Sequence, residues 1–121
     1  MAQIILAEDD DALRTFLKRG LEKAGHLVIS AANGTEALEA LHAATFDLLI
    51  ADIVMPGLDG VELARRATRD QPKLRIMFIT GFSAIALKQQ SIQSPNGSAR
   101  VLSKPFHLRE LVAEVERALA A

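Results

Sequence analysis

The run Leu48-Leu49-Ile50-Ala51 is apolar throughout, and Asp52 follows it directly. A strand with no polar face fits only a sheet covered on both sides, which points to a parallel one. Met55-Pro56-Gly57 then stops any regular ladder, since proline lacks a donor and glycine favours a turn. Asp59-Gly60-Val61-Glu62 offers a cap with a Glu three residues later, which predicts a helix start. This strand–acid–turn–helix unit sets Asp52 at the carboxyl edge of the sheet, where open α/β folds bind ligands. A carboxylate so placed can accept a phosphoryl group as an acyl phosphate.

The rest of the chain repeats the alternation. Gln3 to Ala7 reads as a first strand and runs into Glu8-Asp9-Asp10-Asp11. Leu13, Phe16, Leu17 and Leu21 follow at the spacing of one helical face. Gly25-His26 ends that helix, and Leu27-Val28-Ile29 is a second strand. Asn33-Gly34-Thr35-Glu36 reads as a capping box for a helix carrying Ala37, Leu38 and Leu41. Leu63, Ala64 and Ala67 mark the inner face of the helix after the central strand. Leu74 to Ile79 predicts a fourth strand ending in Thr80-Gly81, and Val101-Leu102 a short fifth ending in Ser103-Lys104-Pro105-Phe106. Leu108, Leu111, Val112, Val115 and Leu119 define a closing amphipathic helix. The polar, turn-prone interval 82–100 predicts a short helix and a mobile loop. Such alternation predicts an α/β fold, a parallel sheet with helices on both faces joined by right-handed crossovers. One domain, residues 1–121, accounts for the length.

Composition narrows the function classes. A formal net charge of -1 argues against a general nucleic-acid surface, which needs a basic field. The absence of Cys removes disulfides, thiolate metal sites and thiol catalysis together. No basic-plus-apolar leader precedes the first strand, and no apolar run approaches the ~18 residues of a membrane span. The expectation is a soluble cytoplasmic protein.

In a parallel sheet the strand ends share one edge, so Glu8, Asp9, Asp52, Thr80 and Lys104 are expected together. Carboxylates gathered there repel one another unless a cation lies between them. An all-oxygen site open to water suits Mg²⁺. Lys104 and the Thr80 hydroxyl would bind the remaining phosphoryl oxygens, since phosphoryl transfer relies on positioning and charge stabilisation. Asp10 and Asp11 are expected to favour the start of the next helix instead. His26, His42 and His107 are expected to have structural roles.

The ordered set Glu8-Asp9, Asp52 with Met55-Pro56-Gly57 and Asp59-Gly60, Thr80-Gly81, and Lys104-Pro105-Phe106 resembles the receiver domain of two-component response regulators. The resemblance implies a flavodoxin-like fold of five parallel strands in the order 2-1-3-4-5, with five helices. It implies that Asp52 is phosphorylated from a histidine kinase or histidine phosphotransferase, with Mg²⁺ required. Carried over by position, Asp9 and Asp52 are direct metal ligands, Glu8 acts mainly through water, and the Val54 carbonyl completes the metal site. Thr80 and Lys104 contact the phosphoryl group, and the Lys104–Pro105 bond is cis.

The departures from the family pattern carry information too. The switch aromatic three residues before the lysine falls on Val101, which puts a coupled rearrangement with Thr80 in question. Val54 and Phe82 are apolar where many relatives have polar side chains, so slow loss of phosphate is expected. With no output domain among the 121 residues, output is expected by contact with another protein. The wording at 7–11, 52–57, 79–82 and 102–112 resembles single-domain receivers that act as phosphorylation-inhibited adaptors of the ClpXP protease in cell-cycle control. Ala118-Leu119-Ala120-Ala121 resembles the Leu-Ala-Ala terminus that ClpX reads on tagged proteins, or is simply an Ala-rich helix end. Other readings are a phosphate-shuttling or sink receiver without protease contact, and an aspartyl-phosphate hydrolase. The hydrolase generally needs a second Asp where Val54 stands, and a DNA-binding regulator would need a basic patch and a spare helix-turn-helix.

Overall fold

The computed structural model describes residues 1–81 and 99–120. Five parallel strands, β1 (Gln3–Ala7), β2 (Leu27–Ala31), β3 (Leu48–Asp52), β4 (Arg75–Thr80) and β5 (Arg100–Ser103), form one sheet in the order β2-β1-β3-β4-β5. The described helices are α1 (Asp11–Lys23), α2 (Gly34–Ala43), α3 (Gly60–Asp70) and α4 (Leu108–Ala120). The short helix and loop expected over 82–100 fall, apart from Ala99 and Arg100, outside the described residues.

Every residue of β3 is buried, as a strand covered on both faces requires. Alternation along the strands divides the core in two. Ile5, Leu49, Ala51, Ile76 and Phe78 face α2 and α3, meeting Ala37, Leu41, Leu63 and Ala67. Ile4, Leu6, Leu48, Ile50, Met77 and Ile79 face α1 and α4, meeting Leu17, Leu21, Leu111 and Val115. Helices therefore cover both faces. Strand β5 begins at Arg100, one residue before the Val101-Leu102 expected, and two further boundaries and one helix face differ from the sequence reading. Leu74 is buried but lies in the turn before β4, where its N–H donates to the Gln71 carbonyl. Strand β2 runs on to Ala31. Phe16, assigned to the inner face of α1, is 53% exposed, because Leu17 and Leu21 turn that face away from it.

The sheet register positions the polar strand ends. Asp52 pairs with Ile79, so Thr80 lies one residue beyond, and Thr80 in turn pairs with Ser103. The Lys104 N–H continues that ladder to the Thr80 carbonyl at 2.7 Å. The following Lys104–Pro105 peptide bond is cis. On the other flank the Glu8 N–H donates to the Ala31 carbonyl at 3.1 Å, extending β1 toward β2. Each of these residues is held by main-chain pairing.

Candidate functional site

Asp52 ends β3 and is almost wholly buried. Its two oxygens have separate partners: Oδ1 accepts from the Val54 N–H at 3.1 Å, and Oδ2 accepts from Lys104 Nζ at 2.9 Å. The turn beyond it needs Gly57 at φ +75°, a left-handed conformation that L side chains rarely adopt. That turn feeds α3, whose cap Asp59 accepts from the Glu62 N–H at 2.8 Å. The expected return arm of this capping box is not made; Glu62 instead receives Arg65 and Arg66, and these cations hold its carboxyl below the usual range.

Glu8 is 1% exposed, and both its carboxylate oxygens are engaged. Oε1 accepts from Lys104 Nζ at 3.3 Å and Oε2 from the Asp10 N–H at 3.0 Å. Burial pushes its carboxyl above the usual range, and the neighbouring Asp52 charge adds to this; the Asp10 N–H and the Lys104 ammonium oppose it. Burial alone would lower the Lys104 ammonium. The hydrogen bond and charge of Asp52, with Glu8 behind them, outweigh it and hold Lys104 above its ordinary value. The lysine thus ties the ends of β1 and β3 together from beyond β5.

Asp9 is exposed beside this pair, and carboxylate oxygens of Glu8, Asp9 and Asp52 lie within 4.8 Å of one another. Three carboxylates against one ammonium leave negative charge in excess. An all-oxygen donor set with one exposed member fits a hard divalent cation that keeps some of its waters. Thr80 ends β4 fully buried, and Val54 is half-exposed at the rim. Glu8, Asp9, Asp52 and Lys104 are therefore gathered at one edge, with Thr80 and Val54 on the adjoining strand end and turn.

Asp10 caps α1 by accepting from the Leu13 N–H at 3.0 Å. His26 is buried between β1 and α4, with its Nδ1 accepting from the Ala2 N–H at 3.3 Å and its Nε2 3.0 Å from Glu116 Oε1. His42 pairs with Asp70 at the exposed ends of α2 and α3. One group beside the acids had no part in the sequence reading. Arg14 reaches back from α1 to the Glu8 carbonyl, and its spacing from Asp11 signals only a helix-surface pair.

Residues 4–116 match the response regulator receiver domain. Over its whole length the chain is 56% identical to the response regulator receiver protein CpdR of Brucella abortus (strain 2308), spanning 99% of that protein. Chemotaxis protein CheY4 of Vibrio cholerae has the same fold, with a TM-score of 0.88 at 29% identity, over 98% of this chain and 99% of that one. The receiver domain of the hybrid histidine kinase CckA gives a TM-score of 0.81 at 33% identity, over 97% and 98% of the two chains. The strand order, the site at the carboxyl edge and a match over nearly the whole length converge, and the chain belongs to the response regulator receiver domain family of two-component systems.

Proposed function

We propose that this chain works as a stand-alone receiver in a phosphorelay: it takes a phosphoryl group on Asp52 from a histidine kinase or histidine phosphotransferase and signals by contact with a partner protein. The observation that carries this reading is the Lys104 ammonium held between Asp52 and Glu8. In the transfer an Asp52 carboxylate oxygen attacks the phosphorus of a phosphohistidine. The P–O bond forms as the P–N bond breaks, and the imidazole leaves with the electron pair and takes a proton from solvent. Asp52 gives up its charge in the acyl phosphate, and Lys104 then finds its negative partner in the phosphoryl oxygens. The Thr80 hydroxyl binds another of these oxygens. Asp9, Asp52 and the Val54 carbonyl would hold Mg²⁺, with Glu8 acting mainly through water, as the resemblance to receivers implies. Bound there, Mg²⁺ supplies charge neutralisation between the carboxylates and the incoming phosphoryl oxygens.

Incubation with acetyl phosphate and Mg²⁺ followed by mass spectrometry tests this. Wild type should gain one phosphoryl group and Asp52→Asn none; equal labelling of both would overturn it.

For output, the resemblance at 7–11, 52–57, 79–82 and 102–112 supports an adaptor for the ClpXP protease in cell-cycle control, active in the cytoplasm when unphosphorylated and switched off by phosphorylation. ClpX should be retained by Asp52→Ala and released by phosphorylated wild type in a pull-down with purified components. Retention of neither form would leave a phosphate-shuttling receiver.

A further inference from the structure

Arg14 lies in the first turns of α1 with its guanidinium folded back toward the sheet edge, its side chain 19% exposed. Nη2 donates to Asp11 Oδ1 at 2.6 Å, a pair that on its own would be an ordinary helix-surface contact. Nη1 does something a surface pair does not: it donates to the main-chain carbonyl of Glu8 at 2.8 Å. Strand β1 ends at Ala7, and the first helical bond of α1 runs from the Arg14 N–H to the Asp10 carbonyl. The Glu8 carbonyl therefore lies between the last ladder pairing and the first helical one, and the guanidinium serves it.

The peptide held in this way joins Glu8 to Asp9. Two more bonds close the same short turn, from the Asp10 N–H to Glu8 Oε2 and from the Leu13 N–H to Asp10 Oδ1. Glu8 is anchored besides by Lys104, whereas Asp9 is exposed. The peptide that Arg14 holds is the one from which the Asp9 side chain projects.

We propose that Arg14 is a positioning residue for the divalent cation: by holding the Glu8 carbonyl it keeps the Asp9 carboxylate turned into the site beside Asp52. This inference rests on the cation reading given under Proposed function. Groups that orient metal ligands from behind commonly change affinity by about tenfold or more when removed. The sign of the effect separates positioning from charge. A fixed cation near a cation site weakens binding by repulsion, so loss of Arg14 as a mere charge would tighten it.

Mn²⁺, which takes similar oxygen ligands, serves as the probe, with the free-ion signal followed by electron paramagnetic resonance on the full chain. Arg14→Ala should raise the Mn²⁺ dissociation constant about tenfold. Arg14→Lys keeps the charge but puts one nitrogen in place of the two that reach the Glu8 carbonyl and Asp11 separately, and should also bind more weakly than wild type. Far-UV circular dichroism verifies that each variant is folded; should Arg14→Ala fail to fold, Arg14→Lys decides alone, since its charge is unchanged. A dissociation constant equal to or below that of wild type overturns the inference while leaving the cation reading intact. Wild type that takes up no Mn²⁺ overturns both.

Discussion

The backbone of Asp52 and the backbone of Gly60 touch: a Cβ built on Gly60 would lie 2.3 Å from the Asp52 carbonyl oxygen. The Gly60 N–H also donates to the Ile53 carbonyl at 3.0 Å, so the start of α3 rests directly on the end of β3. Gly60 is needed here for lack of a side chain, not for an unusual φ. In a helix, Ala would gain up to about 1 kcal/mol over Gly. Overpacking against backbone that cannot move aside costs about 1–3 kcal/mol and wins. Gly60→Ala should lower the urea midpoint and slow labelling of Asp52 by acetyl phosphate. A midpoint at or above wild type would show that the two segments separate freely.

Lys104→Met removes the ammonium between two buried carboxylates. Lys104 is partly exposed, so the loss should fall at or below the low end of the about 3–5 kcal/mol seen when a buried pair is broken. Because the acids then face each other without a cation, added Mg²⁺ should restore more stability to Lys104→Met than to wild type. Thermal melts with and without Mg²⁺ measure the difference, and equal shifts in both proteins would contradict the assignment.

How much of this was legible in the sequence follows from what each residue's pattern can encode. Strand β3 can be read because an unbroken apolar run leaves few alternatives, and Asp52 and Glu8-Asp9 because each directly follows such a run; Lys104 is marked instead by Lys104-Pro105-Phe106 beyond the short Val101-Leu102. Leu74 reads as part of β4 because an apolar residue buried in a turn looks the same as one buried in a strand. Phe16 reads as inward because it stands three residues after Leu13, yet it lies at the margin of that face. Arg14 carries no mark in the sequence because its important partner is a carbonyl, and a main-chain acceptor has no sequence signature.

Val54 gives a prediction about lifetime of the phosphorylated state. It is half-exposed, so a polar replacement should scarcely affect folding. Val54→Asn can orient an attacking water where valine cannot, and should speed loss of phosphate from Asp52 about tenfold, below the range of a true general base. Single-turnover decay followed by mass spectrometry tests it, and an unchanged rate would count against shielding by Val54. Phe82, to which the same expectation was attached, lies outside the described residues.

Stability should depend on pH through Glu114. The hydrogen bond from Arg117, joined by the nearby charge of Arg100 from β5, holds its carboxyl below the usual value of 4.5. A depressed folded-state pKa stabilises the fold above the unfolded value, and this contribution disappears as pH falls through the folded one. Glu114→Gln should therefore cost less than about 1 kcal/mol at neutral pH, as expected for a surface pair. Near about pH 3 the gap from wild type should narrow or close. Urea titrations at the two pH values would refute this if the gap instead widened in acid.

Ala118-Leu119-Ala120-Ala121, which resembles a sequence that ClpX reads, is packed in part against the core. Ala118 is buried, and Leu119 packs against the core shared by α1 and α4, while Ala121 lies outside the described residues. A protease that reads this end must first pull the last turn of α4 off the sheet, a local opening that helix ends undergo at little free energy. Ala120 is exposed, so Asp at position 120 should leave the fold intact. If the end is a recognition signal, a variant with Asp at positions 120 and 121 should live longer than wild type in cells containing ClpXP. Leu119→Ala, which loosens the same turn without adding charge, should be degraded faster. Unchanged half-lives for both would remove the signal and leave an Ala-rich helix end that packs Leu119.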